Sequence, residues 1–124
     1  MTTAFEIPNF GFSELWNGVA AGIPQFSAVA VGAATIGLAA LGARVDGIVQ
    51  QPCITGRPEA VRVMSEGISF AVAGGSVTKG ALLTTAADGR VVTAVATNHI
   101  LGRCLATAAA GEMTSVLLGY LGVA

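Results

Sequence analysis

Residues 98–119 read NHILGRCLATAAAGEMTSVLLG, and this stretch decides the fold because the chain writes it twice. Shifted back by 55 positions, residues 43–64, ARVDGIVQQPCITGRPEAVRVM, fall into register with it. Gly47 lies on Gly102, Gly56 on Gly111 and Gly67 on Gly122, while Val45 lies on Ile100, Val61 on Val116 and Val63 on Leu118. In each copy an apolar segment enters a glycine, a turn glycine follows nine positions later, and a second apolar segment returns. Two copies are too few for a solenoid, which needs about three. A duplicated β unit within one barrel or sandwich fits the pattern.

The composition narrows the setting. The 124 residues are 53% hydrophobic and only 10% charged, against about 25% charged in an ordinary soluble domain. One domain is expected at this length. So few charges cover little surface, which implies extensive contact with protein partners or with lipid. A net charge of −1, with Arg44, Arg57, Arg62, Lys79, Arg90 and Arg103 scattered, gives no basic face. Nucleic acid is therefore excluded as a natural partner.

Residues 1–26, MTTAFEIPNFGFSELWNGVAAGIPQF, hold five of the seven aromatics: Phe5, Phe10, Phe12, Trp16 and Phe26. Pro8, Gly11, Gly18, Gly22 and Pro24 preclude a long helix, and no basic segment precedes an apolar run as in a signal peptide. Two readings stand: a strand and loop completing the domain's own core, or an extended arm that docks its aromatics on a neighbour. The organisation expected is an N-terminal arm over 1–26 and a single β domain over 27–124. That domain contains two related units, about 27–67 and 82–122.

No charged residue occurs between Trp16 and Ala43, long enough for a membrane span. The segment is, however, rich in Ala, Gly, Ser and Thr, contains Pro24 and Gln25, and alternates through Val29, Val31, Ile36 and Leu38. That is the pattern of a strand, a turn and a strand. Residues 59–64 alternate with period two, Gly67 is expected to turn the chain, and 68–73 form a buried strand. Ala87, Asp88 and Gly89 mark a hairpin turn. The alanines of 105–110 admit one short helix. The fold class expected is all-β, mainly short strands with at most one short helix, as a compact barrel or sandwich with an extended N-terminal arm.

Chemistry-bearing patterns are sparse. Gly75 and Gly80 have phosphate-loop spacing, but Ala81 stands where the lysine is required. His99 is the single histidine, with no second ligand at metal spacing. Cys53 and Cys104 are 51 positions apart, outside any C-x-x-C pattern, and read as two buried small hydrophobes or a disulfide. The acids, mostly beside turns, form no acid–base pair, and no nucleophile elbow occurs. No catalytic, metal or cofactor-binding residue is expected, and the chain is not expected to be an enzyme.

Residues 67–92, GISFAVAGGSVTKGALLTTAADGRVV, followed by 99–119, HILGRCLATAAAGEMTSVLLG, resemble the bacteriophage capsid decoration (head cement) family of tailed phages in their glycine and alanine spacing. The sequence departs from that pattern at Arg103 and in the uncharged 19–43 segment. The resemblance implies a β-rich virion protein, made in the bacterial host cytoplasm, that binds the exterior of the assembled capsid and stabilises it. It further implies the major capsid protein and the chain itself, as a homotrimer, for partners, with no nucleic acid or membrane and no cofactor. The aromatic arm, Phe5, Ile7, Phe10, Phe12 and Trp16, is then the expected capsid or inter-subunit contact. A small membrane-associated protein and a head-completion or tail subunit are the competing readings.

Overall fold

A computed structural model describes residues 4, 7–18 and 21–124, with backbone alone for 7–10. Nine strands follow one another: β1 (Ile7–Trp16), β2 (Ala28–Val31), β3 (Ile36–Leu38), β4 (Gly47–Val49), β5 (Glu59–Val72), β6 (Leu82–Thr85), β7 (Val91–Thr93), β8 (Gly102–Cys104) and β9 (Met113–Leu118). They form one antiparallel sheet in the order β3-β2-β4-β5-β9-β8-β6-β7, with β1 on the free side of β5. The sheet curls into a half-barrel, and no helix occurs among the described residues. The fold is all-β.

β5 organises the sheet. Its first part pairs with β1 on one edge and β4 on the other, and its last six residues, from Gly67↔Leu118 to Val72↔Met113, pair with β9. The chain therefore does not turn at Gly67, as the sequence suggested. Gly67 takes φ 106°, and the strand passes through it because both flanks find ladder partners. Beside it, Phe10↔Glu66 and Gly11↔Met64 leave Ser65 as an extra residue on β5, and Pro8↔Gly67 leaves Asn9 extra on β1. Paired bulges of this kind bend a strand without ending it.

The hydrogen-bond map repeats along the chain. Ile23 and Cys53 exchange both backbone bonds, as do Val77 and Ala108. Phe26 N donates to Val49 O and Gly80 N to Cys104 O; Gly56 N donates to Gly18 O and Gly111 N to Ala73 O. Each pair is related by 54 or 55 positions, the offset changing once between 18–23 and 73–77 and again in the β2–β3 and β6–β7 loops. The leading strand repeats as well: Trp16↔Glu59 and Phe12↔Val63 correspond to Ala71↔Thr114 and Gly67↔Leu118. The repeating unit thus starts at β1, one strand earlier than the 27–67 segment marked by sequence. β5 ends the first unit and begins the second.

Each unit has its own core. Trp16, Ile23, Val29, Ile36, Val49, Cys53, Val61 and Val63 form one buried cluster, with Phe12 packed against it. The equivalent positions, Ala71, Val77, Leu83, Val91, Cys104, Ala108, Val116 and Leu118, all belong to the second cluster, which also takes in Ala28, Ile48, Met64, Ala73 and Leu101. Both cysteines are free and buried, each at a repeated core position, so the small-hydrophobe reading holds and the disulfide reading does not.

The alanines of 105–110 do not form a helix. Cys104, Ala106 and Ala108 are buried in alternation, Leu105 N donates to Ser115 O, and Ala108 exchanges bonds with Val77. Helix propensity favours alanine by less than about 1 kcal/mol per residue, and this extended path satisfies the backbone while burying alternate methyl groups.

Candidate interaction surfaces

The residues expected to make capsid or inter-subunit contact fall in different settings. Phe5 lies outside the described residues. Ile7 and Phe10 are placed by backbone pairing with Ile68 and Glu66 of β5. Phe12 is half-buried against the first core cluster. Trp16 is 1% exposed within that core, and its Nε1 donates to Ile54 O at 2.9 Å. Residues 7–16 are thus a strand of the sheet, and Trp16 serves the domain's own interior. Its position is the one that Ala71 holds in the second unit.

The outer edge of β1 is guarded at its C-terminal end. Leu15 N donates to the Glu14 carboxylate at 3.0 Å, Thr35 Oγ1 donates to Leu15 O at 2.9 Å, and Asn17 N donates to Thr35 Oγ1 at 3.0 Å. Charged side chains and side-chain caps of this kind discourage edge-to-edge pairing.

A second surface gathers around the turn at 95–98. Asn98 N donates to Val95 O at 3.0 Å, as Ala43 N donates to Ala40 O at 3.0 Å in the equivalent turn of the first unit. The two turns touch: His99 N donates to Gly42 O, and a Cβ on Gly42 would strike the Asn98 side chain. Residues 119–124 run alongside, with Val123 bridged to His99. This brings together Leu41, Val95, Tyr120, Leu121 and Val123, exposed by 67, 65, 45, 55 and 53%. Tyr120 anchors the border: its hydroxyl is 2.9 Å from His99 Nδ1, and the Arg44 guanidinium lies 4.4 Å from its ring centroid. The sequence reading did not single out this group. Its available signal was the absence of charge after Glu112.

Between the two units lies a cavity of about 190 Å³, lined in part by Arg44, Asp46, Ser65, Glu66, Leu118 and Tyr120. It opens where the edge of β5 passes from β4 to β9. In the second unit the corresponding ground is covered, since Ile100 N donates to Gly122 O and Leu121 N to Ile100 O. In the first unit the matching chain, β5, has moved away to begin the next repeat. Ser65 Oγ is buried there without a hydrogen-bond partner among the described residues. Among the described residues no group of three His, Cys, Asp or Glu side chains could hold a metal ion, and no helix is long and apolar enough to cross a membrane.

No family model matches this sequence, and no curated protein matches it. Among solved structures, the chain is similar to the crystal structure of the head fiber gp8.5 N base of bacteriophage phi29. The TM-score is 0.76 at 17% identity, covering 89% of this chain and 95% of the other. At that identity the likeness is one of fold.

Proposed function

We propose that this chain is a structural protein of a bacteriophage virion that sits on the outside of the assembled head and stabilises it, as a decoration or cement protein does. The observation that carries the reading is the fold likeness to the base of a phage head fiber, extending over nearly the whole of both chains. The glycine and alanine spacing of 67–119, and a surface with little charge to desolvate, support it independently. The partner is the major capsid protein, engaged by several copies of the chain at once. Several modest contacts acting together give strong attachment. The role is structural rather than catalytic.

The N-terminal segment supplies the shell contact in this reading, through Ile7 and Phe10 at the start of β1 and Phe5, which precedes them in the sequence. Trp16, buried in the core, holds the other end of the strand to the domain. The test is the copy number of this chain in purified particles, by quantitative mass spectrometry against the major capsid protein. A ratio in simple proportion to the capsid subunits is expected. A few copies per particle would replace this reading by a connector or tail component, and absence from particles would overturn the virion role.

A further inference from the structure

We infer that the cavity between the two units takes up a short extended segment of another protein, one that carries a Lys or Arg side chain. Residues 43–46 follow the same path as 98–101. Asp46 N donates to Val29 O as Leu101 N does to Leu83 O, and Ala43 N donates to Ala40 O as Asn98 N does to Val95 O. In the second unit that path is bordered by an antiparallel segment: Ile100 N donates to Gly122 O, and His99 is bridged to Val123. In the first unit the chain that would match it is β5, whose residues 67–72 are paired with β9. The N–H and C=O of Val45 have no partner among the described residues. Val45 is half-buried and lines the cavity. Ile100 thus shows what kind of chain covers such an edge, and an extended segment added to it gains main-chain bonds.

Size and charge narrow the occupant. At about 190 Å³ the cavity is smaller than the roughly 300–1,000 Å³ of a site for a drug-sized molecule, and it suits one or two peptide residues better than a cofactor. Asp46 and Glu66 place two carboxylates on its lining against the one guanidinium of Arg44. Arg44 lies over the Tyr120 ring and forms no ion pair with either acid among the described residues. The Asp46 carboxylate accepts from Val31 N at 2.7 Å. Ser65, on the same lining, buries a hydroxyl that has no hydrogen-bond partner among the described residues. An excess of negative charge beside an open edge selects a basic segment and repels an acidic one.

A second copy of this chain has no such segment to offer. Its other cations are held within the fold: Arg62 and Arg103 lie in β5 and β8, and Arg90 pairs with Asp88. Lys79 N donates to Thr107 Oγ1 and Arg57 N to Ile54 O. Residues 1–3, 5, 6, 19 and 20, outside the described set, include no Lys or Arg. The occupant is therefore a different protein.

This inference concerns the chemistry of the segment and does not rest on the virion role, so it is tested on the isolated chain. The probe is the blocked peptide acetyl-Gly-Lys-Val-Lys-Gly-amide, titrated to about 5 mM while backbone amide resonances are followed by NMR. Saturable shifts centred on Arg44, Val45 and Asp46 are expected, with slower hydrogen exchange at the Val45 amide. Acetyl-Gly-Glu-Val-Glu-Gly-amide is expected to bind about tenfold more weakly, and the paired substitution Asp46→Asn and Glu66→Gln to abolish that difference. The lysine peptide is also N-methylated, on the valine in one version and on both lysines in another. One version is expected to lose about tenfold in binding, because strand addition uses alternate amides. The peptide comparisons need no variant protein, so they decide even where the paired substitution does not fold. No saturable shift at Val45 overturns the inference, as do equal binding of the two charges and indifference to both N-methylations.

Discussion

Gly42 and Thr97 hold the same place in the two halves of the chain, at φ 71° and 75°. One is a glycine and the other a β-branched residue, for which a positive φ is strongly disfavoured. The turn repeats even though its residue has changed. Phe26 and Gly80 are a second such pair, at φ 63° and 95°.

Thr97→Gly is accordingly expected to stabilise the fold by about 1 kcal/mol, the relief of strain being partly offset by glycine's greater freedom when unfolded. Gly42→Ala is expected to cost about 2 kcal/mol or more, since the strained backbone is joined by a clash with Asn98. Urea titration of both variants measures the pair, and equal effects of the same sign would refute the account.

Trp16 tests the place of the N-terminal strand. Trp16→Ala removes the largest side chain of the first core cluster and leaves Ile54 O without its donor. A loss of about 3–5 kcal/mol is expected. Trp16→Phe keeps much of the packing and should lose about 2 kcal/mol. Thermal unfolding monitored by circular dichroism reads both; a loss below about 0.5 kcal/mol for alanine would mean that the strand is dispensable to the core.

Cys53 gives the fold a pH dependence in the alkaline range. Burial, with a smaller contribution from the Glu59 carboxylate, raises its thiol from 9.0 to about 11. Because the folded value lies above the unfolded one, the associated stability is complete below pH 9. It is lost as pH rises towards 11, where the unfolded chain releases a proton that the folded chain retains. Unfolding midpoints measured from about pH 8 to 11 should fall less steeply in Cys53→Ala than in the unaltered chain. Parallel curves would remove Cys53 as the cause.

Among the described residues two buried hydroxyls, Thr84 Oγ1 and Ser65 Oγ, have no hydrogen-bond partner, whereas the buried Thr85 and Ser27 hydroxyls donate to Ala86 O and Pro24 O at 2.7 Å each. An unpaired buried hydroxyl carries a desolvation cost of about 1–3 kcal/mol. Thr84→Val is therefore expected to be neutral or to stabilise by about 1 kcal/mol. Thr85→Val should destabilise. Guanidinium unfolding curves of the two compare them directly, and the opposite order would show that Thr84 is satisfied by water.

The sequence by itself determined the β class and the period of the duplication. Apolar residues at alternate positions fit strands, and glycines recur wherever a repeated close approach demands them. At Gly47 an added Cβ would lie 2.5 Å from Met64 O, and at Gly102 it would strike Leu117 O. Such constraints act within each unit and leave a mark at fixed spacing. Tertiary structure alone decided where the units begin, because β5 belongs to both and its continuity through Gly67 depends on β1 and β9, far away in sequence. It also decided that the alanines of 105–110 are extended, that Trp16 lies inside the core, and that the turns at 40–43 and 95–98 meet. Local propensities are worth a few tenths of a kcal/mol per residue. They yield to ladder bonds and burial whose partners lie tens of residues apart, and no window of sequence contains both members of such a pair.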